Sequence, residues 1–143
     1  MKSLAMLIVQ NQSNLDRLRS RLRYSRTILR KEVLNEHQQY GPYANYWEEW
    51  TTQAEFLLEE LTSDIASTVI FIKELKDFLH NYEKDECPTK EHQKSYVAMQ
   101  KLAIEALAWQ KDMIKITDEK ISLHREFTHK LLLVEAIDSI DED

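Results

Sequence analysis

From Tyr43 to Tyr82 the chain reads YANYWEEWTTQAEFLLEELTSDIASTVIFIKELKDFLHNY, and its bulky apolar residues return in alternating steps of four and three. The stripe is Tyr43, Trp47, Trp50, Ala54, Leu57, Leu61, Asp64, Thr68, Phe71, Leu75, Phe78 and Tyr82. Its period of about 3.5 residues is that of a helix face in coiled-coil contact. A second row, Leu58, Ile65, Ile72 and Leu79, repeats every seven residues on the adjoining face. Together the rows make an apolar surface too wide for one partner helix, so this segment predicts a helix held between two others.

Working outward, residues 3–40 carry a stripe of the same kind: Leu4, Ile8, Asn11, Leu15, Leu18, Leu22, Ser25, Leu29 and Val33. Gly41-Pro42 ends it, because proline lacks a backbone donor and disfavours helical geometry in the residue before it. On the other side, Glu83-Lys84-Asp85-Glu86 and Cys87-Pro88 break the pattern, and Thr89 is placed to cap a third helix. That helix has the stripe Met99, Leu102, Ala106, Trp109, Met113, Ile116, Lys120, Leu123, Phe127, Lys130, Val134 and Ile137. The expected fold is all-α, an elongated antiparallel three-helix coiled-coil bundle with helices at about 3–40, 43–83 and 89–137. Residues 1–137 make a single domain, and 138–143 form an acidic tail with nothing apolar to bury.

A turn near residue 85 sets an expected register. It pairs Tyr43 with Phe127, Trp47 with Leu123, Ala54 with Ile116, Leu57 with Met113, Leu61 with Trp109, Thr68 with Leu102 and Phe71 with Met99. The first helix meets the second at Leu29–Ala54, Leu22–Leu61 and Ile8–Leu75. Helices of these lengths predict a rod roughly 55–70 Å long, at about 1.5 Å per residue.

Composition narrows the chemistry. The chain has 143 residues, of which 43% are apolar, but one glycine, two prolines and one cysteine. Phosphate-cradling loops and nucleophile elbows depend on glycine, so loop-borne catalysis is disfavoured. The lone Cys87 builds neither a disulfide framework nor a cysteine-rich zinc site, which points to a reducing compartment: cytoplasmic, or nuclear. The only N-terminal apolar run, Leu4 to Val9, is far short of the roughly 20 residues that span a bilayer.

Charge is divided between elements. Residues 1–40 hold eight Lys or Arg against three acids, whereas residues 41–143 hold eleven against twenty-two. Arg19, Arg23, Arg26 and Arg30 form a row one turn apart beside the first leucine seam; Arg17, Arg21 and Lys31 lie on the far side. Such a row can follow the phosphates of nucleic acid or lipid. The expected register sets Glu55, Glu59, Glu60 and Asp64 opposite it, however, so pairing within the bundle is the simpler expectation. Asp64, a carboxylate in the apolar seam, is expected to form a buried polar layer with Arg19 and Ala106 that fixes register.

The histidines raise metal and nuclease readings. Asp77-x-x-His80 and Glu126-x-x-His129 have the carboxylate–imidazole spacing of di-iron bundles, but the expected register holds them about 50 Å apart, at about 1.5 Å per residue. His80 and His92 fall near Cys87 at the turn, a thin donor set for zinc. Arg30 and His37 resemble, in their spacing, the arginine-to-histidine pair of the all-helical HEPN ribonucleases; Lys31 stands where that family has a polar residue after the arginine. The resemblance covers this pair alone, and implies RNA cleavage at a dimer seam.

Tyr40, Tyr43, Tyr46, Trp47 and Trp50 gather at one end, an aromatic concentration suited to core packing or to an interface hot spot. The expected function is a non-enzymatic structural or adaptor role, binding other helical proteins or a second copy within a larger assembly. No cofactor or metal is called for. The alternative is a nucleic-acid or membrane-surface binder through the arginine-rich first helix, and the third is the HEPN-like ribonuclease.

Overall fold

A computed structural model describes residues 2–31 and 34–141, and the side chains of all of these except 28–31, 37 and 141. The fold is all-α: α1 (Leu4–Lys31), α2 (Glu36–Tyr40), α3 (Ala44–Glu83) and α4 (Lys90–Asp141), with α1, α3 and α4 packed as a helical bundle. The caps follow from sequence. The Ser3 hydroxyl accepts from the Met6 amide at 3.2 Å, and the Thr89 hydroxyl from the His92 amide at 3.2 Å.

The expected first helix, 3–40, is divided. Asn35 and Gln38 exchange hydrogen bonds, Gln38 N donating to Asn35 Oδ1 at 2.9 Å and Asn35 N to Gln38 Oε1 at 3.1 Å. This reciprocal cap satisfies two helix-end donors and begins the short α2. At the C-terminus α4 runs to Asp141, past the expected end at 137. Asp138 is half-buried and accepts from the Tyr43 hydroxyl, so it belongs to the fold rather than to a tail.

Contacts gather into two units. Unit one comprises Met1–Ser20 and Thr62–Lys115; unit two comprises Arg21–Leu61 and Ile116–Asp143.

In unit one the core is Leu4, Leu7, Ile8, Leu15, Ile72, Leu75 and Ala103, flanked by partly buried residues that include Ile65, Phe71, Phe78, Tyr96 and Leu107. The expected Ile8–Leu75 layer lies within it. A chain of amides crosses from α1 to α4. Asn11 Nδ2 donates to the carbonyls of Leu7 at 2.8 Å and Ala103 at 3.3 Å. Asn11 Oδ1 accepts from Gln110 Nε2 at 2.5 Å, and Gln110 Oε1 accepts from Asn14 Nδ2 at 2.9 Å. Asn11 and Gln110 are both 0% exposed. Burial of such groups is tolerated because each has its partner.

In unit two the buried residues Trp47, Trp50 and Leu131 form a cluster with Leu34, Tyr43 and Phe127 against it. Ser25, Ala54, Leu57, Ile121 and His124 border one small cavity beside it.

The stripes expected for α1 and α3 are buried or half-buried wherever side chains are described: Asn11 and Ser25 are as buried as the leucines, Trp47, Trp50, Ala54, Leu57, Leu61, Thr68 and Leu75 are inside, and Tyr43, Asp64, Phe71, Phe78 and Tyr82 are half-buried. The side chains of Leu29 and Val33 lie outside the described residues. The α4 stripe is a correction. Leu102, Trp109, Ile116, Leu123 and Ile137 are 45% to 64% exposed, and the buried positions are Gln100, Ala103, Gln110, Ile114, Thr117, Ile121, His124 and Leu131, with Met113 alone of the expected stripe fully buried. The helix is turned by about one residue relative to the expected face, onto a row that mixes apolar residues such as Ala103, Ile114, Ile121 and Leu131 with Gln100, Gln110, Thr117 and His124.

Register changes as well. Tyr43 bonds to Asp138 and Trp47 to Glu135, where their layers were expected to hold Phe127 and Leu123; Phe127 packs in the same cluster as Tyr43 and Trp47. The turn itself, residues 84–89, falls where it was expected.

Replacing Gln110 by Leu tests the amide chain. It strands Asn11 Oδ1 and Asn14 Nδ2, and urea unfolding is expected to show a loss of about 2–4 kcal/mol, at about 1–3 kcal/mol per stranded buried group. Trp109→Lys, one residue away on the exposed side, is expected to stay within about 1 kcal/mol of wild type. The reverse ranking would return Trp109 to the core.

Candidate functional site

The aromatic end predicted from sequence separates into two populations. Trp47 and Trp50 are fully buried and meet edge to face, ring centroids 5.8 Å apart. Each buried ring has its polar atom satisfied by α4: Trp47 Nε1 donates to Glu135 Oε1 at 2.7 Å, and Trp50 Nε1 to Thr128 Oγ1 at 2.6 Å. The Tyr43 hydroxyl donates to Asp138 Oδ2 at 2.5 Å. That bond and the carboxylate's charge hold the Tyr43 phenol above its usual pKa. Tyr46 and Tyr40 are outside this core, Tyr40 at 80% exposure.

Next to Trp50 lies the unit's buried histidine. The His124 ring is 4.7 Å from the Trp50 ring, centroid to centroid, and its Nε2 is 3.1 Å from the Trp50 carbonyl oxygen. A carbonyl accepts only, so Nε2 carries the proton, and the neutral ring keeps Nδ1 as an acceptor. Burial lowers the His124 pKa, and the Trp50 hydrogen bond opposes that in smaller measure.

His124 borders two spaces. One is a groove of about 310 Å³ between α3 and α4, lined by Gln53, Phe56, Leu57, Glu60, Lys120, Leu123 and His124. Phe56 and Leu123 stand exposed at its edges, and Lys120 Nζ donates to Glu60 Oε2. The other is a cavity of about 10 Å³ bounded by Ser25, Ala54, Leu57, Ile121 and His124. Ser25 Oγ is buried and has no hydrogen-bond partner among the described residues. Reading the chain for apolar spacing missed this site. Its only sequence signals are polar residues at core positions: Ser25, seven residues after Leu18 in the first seam, and His124, seven after Thr117.

The arginine row departs from expectation. Arg19 approaches Asp16 on its own helix at 3.9 Å. Arg23 and Arg26 are exposed, and neither pairs with Glu55, Glu59 or Glu60 among the described residues; Glu60 is held by Lys120. It is Arg21, assigned by sequence to the far side, that crosses to α4, its Nε 3.0 Å from Asp118 Oδ1 and its Nη2 3.3 Å from Oδ2. Arg125 lies over the Tyr24 ring at 4.6 Å and donates to its hydroxyl. Asp64 is half-buried, and its backbone carbonyl accepts from the Thr68 hydroxyl at 2.7 Å. The fully buried polar layer of unit one is the Asn11–Gln110–Asn14 chain instead.

At the turn, His92 Nδ1 is 3.4 Å from Asp85 Oδ2, and Cys87 is exposed. No cluster of three or more His, Cys, Asp or Glu side chains fit for a metal occurs among the described residues. The side chains of Arg30 and His37, which carry the ribonuclease resemblance, lie outside the described residues. No helix among the described residues is long and apolar enough to cross a membrane. Comparison of the chain with protein-family models, curated proteins and solved structures finds no match in any of the three.

The buried neutral imidazole has a pH consequence. Its folded pKa lies below the unfolded value of about 6.5, so below that pH the unfolded chain takes up a proton that the folded chain refuses. The contribution is fully present above about pH 6.5 and is lost as pH falls toward the folded pKa. Melting temperature measured from pH 8 to 5 is expected to fall less in His124→Gln than in wild type. Parallel curves would mean that His124 titrates normally in the fold.

Proposed function

We propose that this chain is a non-enzymatic structural or adaptor protein that binds amphipathic helices of partner proteins through apolar surface left on α4. The observation that carries this reading is that large apolar residues seven apart in sequence, Leu102 and Trp109 in one stretch of α4 and Ile116 and Leu123 in the next, are exposed although buried α4 positions such as Gln100, Gln110, Thr117 and His124 are polar. Leu102 and Trp109 belong to unit one, Ile116 and Leu123 to unit two. Large apolar side chains spaced by heptads are what a docking helix needs, and Trp is among the residues that dominate interface energy. The abundance of helix and scarcity of glycine support a binding role over loop-borne chemistry.

A photo-crosslinking residue at Trp109 or Ile116, introduced in the native cell, is expected to capture a helical segment of a partner protein or of a second copy. Trp109→Glu combined with Ile116→Glu is expected to abolish the complex while leaving the monomer folded, as followed by helical circular dichroism. Capture of nucleic acid or lipid alone would overturn the reading.

A second reading has one specific observation in its favour. Arg23 and Arg26 are exposed without the acidic partners that sequence had assigned them, which leaves their charge open to a polyanion. Affinity for duplex DNA would then fall with salt with a slope of about −0.9 per phosphate neutralised. Arg23→Gln with Arg26→Gln would flatten that slope by about two units at unchanged melting temperature. The whole chain's formal charge of −6 argues for the helix-binding reading.

A further inference from the structure

The space around His124 has a chemistry that helix docking does not use. Ser25 is 4% exposed, and its Oγ has no partner among the described residues. A hydroxyl left so costs stability unless some group completes it. His124 uses Nε2 on the Trp50 carbonyl, and its other ring nitrogen makes no hydrogen bond among the described residues. Ser25 offers a donor and an acceptor; Nδ1 of the neutral ring offers an acceptor alone.

Size limits what completes them. The cavity that Ser25 and His124 share is about 10 Å³, close to the space that a single water-sized atom fills, roughly 10–15 Å³. One oxygen fits, whereas a carboxylate or phosphate does not. Charge sets the same limit, since both polar atoms are neutral and the neighbouring Lys120 and Glu60 already answer each other. Leu57 and His124 are walls of both this cavity and the groove of about 310 Å³. That groove lies at the small end of ligand pockets, which run from roughly 300 to 1,000 Å³. Its exposed edges are apolar, Phe56 and Leu123.

We propose that unit two binds a small uncharged molecule with an apolar body and one hydroxyl group, the body in the groove between Phe56 and Leu123 and the hydroxyl between Ser25 and His124. The ligand's O–H donates to His124 Nδ1 and its oxygen accepts from Ser25 Oγ, the one buried side-chain atom left without a partner among the described residues. A water molecule can make the same two bonds and is the competing occupant. This site shares Leu123 with the helix-binding reading but rests on Ser25 and His124, and its test touches neither Trp109 nor Ile116.

The test titrates the full chain with 4-propylphenol and with propylbenzene, which lacks only the hydroxyl. Binding is read from tryptophan fluorescence, the Trp50 ring lying 4.7 Å from that of His124, and from the His124 ring signals in NMR spectra. The phenol is expected to bind saturably and about three- to tenfold more tightly than propylbenzene, the worth of one net hydrogen bond. Ser25→Ala should erase that preference without lowering the melting temperature, and Phe56→Ala, at an exposed edge, should weaken both probes alike. Equal affinity of the two probes for wild type, no binding of either up to the solubility limit, or a preference that survives Ser25→Ala would each overturn the proposal. A drop in melting temperature for Ser25→Ala would do so too, because the hydroxyl would then be completing a structural water.

Discussion

The rotation of α4 in unit one depends on the amide chain from Asn11 to Gln110 to Asn14. Dispersion and apolar burial are non-directional, and Leu102 or Trp109 offers more apolar area than Ala103 or Gln110. A hydrogen bond between two buried amides has a narrow range of geometry, and leaving either end unmade costs more than making it gains. Asn11 is fixed on α1 among Leu4, Leu7, Ile8 and Leu15, whose burial sets that helix's face. Once Asn11 is inside, its carbonyl oxygen has to be met, and Gln110 meets it. The small Ala103 side chain lets α4 come close enough for its own carbonyl to accept from the same asparagine. Trp109, beside Gln110 in sequence, is then turned to the surface.

Unit two reaches its packing by another division of labour. Trp47 and Trp50 supply area, each being buried almost completely, and their single indole donors are matched one for one by Glu135 and Thr128. Thr128 completes a relay, accepting from Trp50 and donating at 2.8 Å to the His124 carbonyl. Amide–amide bonding in unit one specifies rotation through groups that both donate and accept. In unit two an indole donates only, so its partner must be an acceptor, which is why a carboxylate and a hydroxyl stand at those α4 positions.

These two arrangements explain which parts of the fold sequence disclosed. In α1 and α3 the residues that recur every three or four positions are also those that are buried, so periodicity and packing agree, even at Asn11, Ser25 and Thr68. In α4 they disagree. Two apolar rows compete there: Met99, Ala106, Met113, Phe127 and Val134 are partly or fully buried, whereas Leu102, Trp109, Ile116, Leu123 and Ile137 are exposed. Hydrophobicity alone merges them into one stripe, because nothing in a single helix's pattern records that Asn11 on another helix needs a glutamine. Of the aromatic end, Trp47 and Trp50 were legible as core by position. The Ser25–His124 pair was not, since neither residue is unusual until Leu57 and Ile121 close around both.

The same disagreement gives α4 its functional interest. A helix whose most apolar heptad row faces outward departs from the agreement between local pattern and global fold that stable folds ordinarily show, and such departures concentrate where a protein does something besides fold. Exposed large apolar residues, taken singly, are ordinary on protein surfaces. What separates Leu102, Trp109, Ile116 and Leu123 from that background is spacing, because residues seven apart on one helix recur on the same side of it. The buried α4 positions are filled without them, by Ala103, Met113, Ile114, Ile121 and Leu131 and by Gln100, Gln110, Thr117 and His124. Selection for stability alone would have no use for a tryptophan at position 109, where a lysine or glutamate serves the helix as well. The proposed contact with a partner helix is a reason for such a residue there that the fold itself does not supply.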